Sequence, residues 1–109
     1  MDEQLHETVR EVVKSIPRGR VATYGDVADI ARAPSPRIVG RILSEDGVDL
    51  PWHRVLRANG TCAPHLVDEQ LQLLREEGVV AVNGKVDLRT HRWEEAVKDK
   101  AVDEPPSLF

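Results

Sequence analysis

The segment Ala33-Pro34-Ser35-Pro36 constrains the fold of this chain most, because neither proline can lie in the interior of a helix. Apolar residues at helical spacing lie on both sides of it: Val27, Ile30 and Ala31 before, and Ile38, Val39, Ile42 and Leu43 after. Ser35 suits an N-cap, and Pro36 suits the first helical position, where its missing N–H costs nothing. The pattern therefore predicts two short helices joined by a tight turn.

A longer amphipathic helix is predicted upstream, with a core stripe formed by Leu5, Val9, Val12, Val13 and Ile16. Pro17 and Gly19 end it. Thr23 and Asp26 have the spacing of a capping box, which opens the first of the two short helices. A supporting helix followed by two short ones predicts a helix-turn-helix pattern. That pattern occurs in DNA-binding domains and also in helical domains that use it for packing alone.

The second half of the chain predicts one helix and one hairpin. Residues 67–77 have helical apolar spacing, and Gly78 suits the helix C-terminus. Asn83-Gly84 separates the short runs 79–82 and 85–88, which predicts a hairpin with a type I′ turn. We expect a mainly α fold with a small β-hairpin, in a single domain over residues 1–93.

The charge and the remaining composition limit the class of protein. The net charge is -4, but five arginines lie within residues 18–41 against Asp26 and Asp29, which can form a modest basic face or an ordinary solvated surface. The acidic segment 94–109 predicts a flexible tail. Cys62 is the one cysteine, which excludes an internal disulfide and a cysteine zinc cluster, so we expect no metal and no cofactor.

No secretory signal or membrane span is expected. The first residues, MDEQLHETVREVV, lack a basic start and an apolar run. No stretch reaches the roughly 18 apolar residues of a membrane helix. A free thiol suits a reducing compartment. We therefore expect a cytoplasmic protein that is not attached to a membrane.

Four ordered runs resemble the C-terminal DNA-binding domain of the O6-alkylguanine-DNA alkyltransferases: IPRGRVATYGDVA (16–28), SPRIVGRIL (35–43), PWHRV (51–55) and LLREEGV (73–79). In those enzymes the third motif is Pro-Cys-His-Arg-Val, and its cysteine accepts the alkyl group. Trp52 occupies that position here. This exchange resembles the alkyltransferase-like proteins, which bind the same lesions without transferring the alkyl group. An indole offers no usable nucleophile.

The resemblance implies a role for each matching residue. Arg37 matches the arginine that fills the gap left by a nucleotide rotated out of the duplex. Tyr24 matches the tyrosine that presses on the 3′ phosphate, and Trp52 provides an aromatic wall. The implied DNA-binding and base-flipping set is Thr23, Tyr24, Gly25, Arg37, Ile38, Gly40 and Arg41. The implied lesion-pocket set is Pro51, Trp52, His53, Arg54 and Val55. His53 and Glu77 match a hydrogen-bond relay that keeps only a structural role without a thiol.

The resemblance also implies a winged helix-turn-helix-like fold and a monomer that binds duplex DNA containing O6-alkylguanine through the minor groove. The expected function is a non-enzymatic damage sensor that flags the lesion for nucleotide excision repair proteins. The asparagine that follows the recognition helix in the family has no clear match in 44–46. Residues 63–66 replace the family loop Tyr-Ser-Gly-Gly, so contacts to the base edge are not carried over. Two alternatives are an alkyltransferase that uses Cys62 and a helix-turn-helix transcription factor.

Overall fold

The computed structural model describes residues 3–96, and the predicted tail from residue 97 onward lies outside them. The helices are α1 (Glu3–Lys14), α2 (Tyr24–Ala31), α3 (Pro36–Asp46), α4 (Val67–Glu76) and α5 (Leu88–His91). The strands are β1 (Ala22–Thr23) and β2 (Val55–Leu56), and short 3-10 turns cover Trp52–Arg54 and Pro64–Leu66. The fold is mostly helical with a small two-stranded sheet, so the predicted fold class is confirmed.

Helices α1, α2 and α3 pack against one another around the first core cluster. Its fully buried members include Val9 and Val13 from α1, Val27 from α2, and Val39 and Ile42 from α3. The apolar spacing that predicted these three helices therefore corresponds to their buried faces.

The predicted capping box opens α2. The Asp26 N–H donates to the Thr23 hydroxyl at 3.0 Å, and the Thr23 N–H donates to the Asp26 carboxylate at 3.0 Å. Helix α2 ends with Arg32 in the left-handed region at φ 59°. Pro36 opens α3 as predicted, although the Ser35 hydroxyl makes no capping hydrogen bond.

The sheet differs from the prediction. Its two strands are parallel, with Ala22 opposite Val55 and Thr23 opposite Leu56, whereas the sequence predicted a hairpin between 79–82 and 85–88. The turn of that hairpin is present, with φ 54° at Asn83 and 76° at Gly84.

The hairpin strands are reduced to a single bridge between Val82 and Lys85. The chain leaves the hairpin at this point, because Lys85 also bridges to Thr61 and the Val86 N–H donates to the Gly60 carbonyl. Helix α5 then begins at Leu88. The local turn was therefore predicted correctly, and the length of the hairpin was wrong.

The second core cluster lies beneath α4 and the turn that follows it. Its buried members include Val21, Leu56, Leu74 and Val79. Gly78 has φ +87°, as predicted for the end of α4. Val21 directly precedes β1, and Leu56 belongs to β2. The pairing of these two strands therefore connects the second core cluster to the helical first half of the chain.

The segment after α5 returns to the first half of the chain. The Trp93 N–H donates to the Val21 carbonyl at 2.7 Å, and Ala96 is fully buried. Arg92 forms an ion pair with the buried carboxylate of Asp26, with its Nε at 2.9 Å. The folded part thus continues beyond the predicted boundary at residue 93. Within residues 3–96, no helix is long and apolar enough to cross a membrane.

Candidate nucleic-acid interface

The turn that carries Trp52 is held from beneath by Gln70. The Gln70 side chain is 1% exposed, and its amide nitrogen donates to the carbonyl of His53 at 3.0 Å and to that of Val55 at 2.8 Å. Sequence reasoning missed this residue. The sequence did indicate its position, because Gln70 lies at helical spacing from Val67 and Leu74. A polar side chain at that spacing falls on the buried face of α4 and needs a hydrogen-bond partner there.

Glu77 organises the other side of the same turn. Its carboxylate accepts hydrogen bonds from Arg54 at 2.8 and 3.0 Å, from His53 at 2.6 Å and from the Gly19 N–H at 2.9 Å. Arg54 also donates to the carbonyl of Ile16. The Glu77 side chain is 5% exposed. The cluster therefore ties the turn to the ends of α1 and α4.

The pKa of Glu77 falls from the ordinary 4.5 to about 2. Burial alone would raise this pKa, because it penalises the charged form. The hydrogen bonds from Arg54, Gly19 and His53, together with the charge of His53, outweigh that effect. Glu77 is consequently an anion across the physiological range.

A cavity of 420 Å³ opens between α2, α3, the Trp52 turn and the start of α4. Tyr24, Gly40 and Trp52 line it, all three of which belong to the predicted site sets. Its other lining residues were not predicted: Leu43, Ser44, Gly47, Val48, Ala63, His65, Leu66 and Glu69. The Trp52 indole is only half-buried, so it is a wall of this cavity rather than part of the closed core.

Tyr24 and Gly40 bring α2 and α3 together at this cavity. A Cβ atom at Gly40 would lie 3.8 Å from the Tyr24 ring, so the ring rests directly over the glycine backbone. Burial, with a smaller contribution from the nearby Cys62, raises the pKa of the Tyr24 hydroxyl, while Arg57 opposes the shift. The hydroxyl is therefore protonated at neutral pH and can donate a hydrogen bond.

Arg37 is exposed in the first turn of α3. Residues three and seven positions further along a helix share its face. Those residues are Gly40 and Ser44, both of which line the cavity. Arg37 therefore lies on the cavity side of α3, although it does not itself line the cavity. Arg41, one residue past Gly40, is paired with Glu45 at 3.3 Å.

Several residues of the predicted sets lie elsewhere. His53 and Arg54 are directed to Glu77, and Val55 is fully buried in β2, so these three members of the predicted lesion-pocket set do not line the cavity. Pro51 also does not line the cavity.

In the DNA-binding set, the Thr23 hydroxyl is buried in the capping box, and Ile38 packs on the first core cluster. Gly25 is half-buried beside Thr23 in the first turn of α2. These residues shape the two helices, whereas Tyr24, Arg37 and Gly40 remain at the surface or at the cavity.

Cys62 is 5% exposed and belongs to the second core cluster. Burial raises the pKa of its thiol. It does not line the cavity, although its neighbour Ala63 does. Among residues 3–96, no group of three or more histidine, cysteine, aspartate or glutamate side chains is placed to hold a metal ion.

The sequence model of a protein family, described as the DNA-binding domain of 6-O-methylguanine DNA methyltransferase, matches residues 4–79 of this chain. The chain belongs to this family. It is 39% identical over 98 residues to the DNA base-flipping protein of Escherichia coli K12, covering 84% of this chain and 76% of that protein. It is 36% identical over 86 residues to alkyltransferase-like protein 1 of Schizosaccharomyces pombe, covering 72% and 79% respectively.

A solved structure shares the fold of this family member. The crystal structure of S. pombe Atl1 in complex with damaged DNA containing O6-carboxymethylguanine has a TM-score of 0.76 at 28% identity. The match covers 85% of this chain and 97% of that one. The family architecture expected from the four motifs is therefore confirmed.

Proposed function

We propose that this protein binds duplex DNA, rotates an O6-alkylguanine out of the stack and holds it in the 420 Å³ cavity without transferring the alkyl group. The observation that carries the proposal is the position of Trp52, which lines this cavity together with Tyr24. A flat aromatic side chain at a cavity wall can stack on or flank an extruded base. Two relatives carry names that agree with this function: a DNA base-flipping protein and an alkyltransferase-like protein.

Rotation of the nucleotide requires a group that acts on the backbone and a group that fills the gap. Tyr24 is the first residue of α2, where the free N–H groups of the helix N-terminus attract phosphate. Its protonated hydroxyl can press on and donate to a backbone oxygen. Arg37 is exposed on the cavity side of α3, and its planar guanidinium can stack in the gap and bind the unpaired base.

The absence of transfer is explained by the chemistry of Trp52 and Cys62. The indole at position 52 has no atom able to displace the alkyl group from O6. Cys62 lies outside the cavity lining, and its thiol is protonated because burial raises its pKa. The thiolate is the reactive form of cysteine. His53 is hydrogen-bonded to Glu77, and this contact holds the Trp52 turn in place.

The proposal extends to the step after lesion binding. A protein that holds a lesion without repairing it contributes to repair when other proteins recognise the bound DNA, and damage-recognition proteins of nucleotide excision repair would have this role. We propose that the chain acts as a cytoplasmic monomer on chromosomal DNA through the minor groove. The S. pombe Atl1 complex with damaged DNA supports the binding step.

The test is a competition titration at stated salt, since phosphate contacts make the affinity salt-dependent. A duplex with one O6-methylguanine is compared with the same duplex containing guanine. We expect tighter binding to the lesion duplex. Tyr24→Ala and Arg37→Ala should each weaken lesion binding by about 1–3 kcal/mol, the range of a good stacking or specific contact.

Arg75→Ala is the matched control, because Arg75 is exposed on α4 and lines a different depression. Equal affinity of the wild-type protein for the two duplexes would sink the proposal. Wild-type behaviour of both the Tyr24 and Arg37 variants would show that the flipping assignment is wrong.

A further inference from the structure

Arg57 follows strand β2 in the same way that Tyr24 follows β1. The two strands run parallel, and their last residues, Thr23 and Leu56, lie opposite each other. Tyr24 and Arg57 are the residues that come next, so both leave the sheet at its carboxyl edge. Neighbouring strands lie about 4.7–4.9 Å apart, so the two residues start from adjacent backbone positions.

The Arg57 side chain is fixed at both ends by the loop that follows β2. The Arg57 N–H donates to the Thr61 carbonyl at 2.9 Å, which holds the backbone. At the other end, the guanidinium Nη1 donates to the Cys62 carbonyl at 3.4 Å. The next residue, Ala63, lines the cavity together with Tyr24. The guanidinium is therefore placed at the loop that borders the cavity.

Arg57 is an exposed cation that makes no ion pair with a carboxylate of residues 3–96. Arg41, Arg54 and Arg92, by contrast, are each paired with a carboxylate. Burial raises the pKa of the Tyr24 hydroxyl, and the charge of Arg57 opposes this rise. The positive charge thus acts on the hydroxyl that faces the DNA in the proposed function. An unpaired cation and a hydroxyl donor meet at one edge of the sheet.

We propose that Arg57 and Tyr24 together bind one phosphate of the DNA backbone, next to the nucleotide that is rotated out. The inference rests on the proposed function and deepens it, because it adds a second group to the backbone contact of Tyr24. A guanidinium binds phosphate oxygens through two parallel N–H donors and carries a permanent positive charge. The Tyr24 hydroxyl supplies a neutral donor, and Arg57 supplies the charge that this contact lacks.

Arg57→Gln tests the charge. The fold should remain intact, because the side chain is exposed and its hydrogen bond to Cys62 is long. Affinity for the O6-methylguanine duplex and for the matching guanine duplex is measured over a series of salt concentrations. Loss of one phosphate contact should lower the slope of log affinity against log salt by about one. At moderate salt, we expect the affinity for both duplexes to fall roughly three- to tenfold.

Two further variants control for net charge and for charge type. Arg75→Gln removes an equal charge from an exposed position of α4 that lines a different depression, so it should keep the wild-type slope. Arg57→Lys keeps the charge and should also keep the slope, with an affinity between those of wild type and Arg57→Gln because lysine lacks the paired donors.

Methylphosphonate linkages locate the contact. One phosphate at a time around the lesion is replaced, which removes its charge. In wild type, replacement of the contacted phosphate should weaken binding, and in Arg57→Gln this penalty should shrink at that phosphate alone. Tyr24→Phe should reduce the penalty at the same phosphate. A purely structural role of either residue would change the affinity equally at every linkage.

Three results would overturn the inference: an unchanged salt slope in Arg57→Gln, an equal reduction of the slope in Arg75→Gln, or the same methylphosphonate penalties in Arg57→Gln as in wild type. A failure of the proposed function is recognised differently. It would appear in the wild-type protein as equal affinity for the lesion and guanine duplexes, whereas the salt slopes are read on each duplex separately.

Discussion

The side chain of Gln70 binds the carbonyl of His53, so helix α4 determines the position of the turn that presents Trp52. The same amide nitrogen reaches the Val55 carbonyl, which links the turn to β2. Both acceptors are backbone carbonyls, one in the Trp52 turn and one in β2. The wall of the cavity therefore depends on a residue that does not line it.

Gln70→Leu should destabilise the protein by about 2–3 kcal/mol. The apolar side chain fills a similar volume but leaves the two carbonyls without their donor, and an unsatisfied buried group is costly. Chemical denaturation monitored by tryptophan fluorescence measures the effect. Gln72→Ala, at an exposed position of the same helix, should remain within about 0.5 kcal/mol of wild type. A Gln70→Leu protein as stable as this control would contradict the role assigned to the amide.

The low pKa of Glu77 predicts acid sensitivity. The folded-state pKa of about 2 lies below the ordinary 4.5, so the ionised carboxylate stabilises the fold above pH 4.5. This contribution, on the order of 3 kcal/mol, is lost as the pH falls from 4.5 towards 2. Denaturation curves between pH 7 and pH 2 measure it.

Glu77→Gln should lower stability at pH 7 and flatten the pH dependence in this window. Glu76→Gln is the control, since Glu76 is exposed at the end of α4. Parallel pH profiles for the wild type and the Glu77→Gln protein would refute the assignment.

The contact between Gly40 and Tyr24 predicts different effects on lesion binding for a small and a large substitution at Gly40. A Cβ at Gly40 would meet the ring at 3.8 Å, which is ordinary van der Waals contact. Gly40→Ala should leave lesion binding within about twofold and stabilise α3 by about 0.5–1 kcal/mol, the helix-interior advantage of alanine. Gly40→Leu should displace the ring and weaken lesion binding by about tenfold. Thermal melts and the competition titration check both, and equal binding losses would rule out the steric explanation.

The burial of Cys62 predicts that the protein accepts no alkyl group. After incubation with DNA carrying radiolabelled O6-methylguanine, we expect no label on Cys62, because its thiol is enclosed and its raised pKa keeps it protonated. Cys62→Ala should retain the wild-type preference for the lesion duplex. Label transferred stoichiometrically to Cys62 would support the alternative of an active alkyltransferase.

Local signals in the sequence were sufficient for most helix boundaries. The Thr23 capping box, Pro36 at the start of α3 and Gly78 after α4 each act through atoms within a few residues. The Asn83-Gly84 turn was also predicted correctly, since its positive φ angles are a property of those two residues. The resemblance assigned Tyr24 to the DNA-binding set and Trp52 to the lesion-pocket set, and the structure brings both to the same cavity.

Tertiary structure decided which neighbours the remaining residues have. The parallel pairing of Ala22–Thr23 with Val55–Leu56 joins segments more than thirty positions apart. The spacing of apolar residues within a segment does not indicate which distant segment pairs with it. The same holds for Gln70 beneath the Trp52 turn and for Arg92 on buried Asp26. Pattern and spacing determine the face on which a side chain lies, because they depend on backbone geometry. Which group meets that face depends on how distant segments pack. Because of this packing, Trp52 of the predicted pocket lies at the cavity wall, His53 and Arg54 lie in the ion-pair cluster, and Val55 lies in the core.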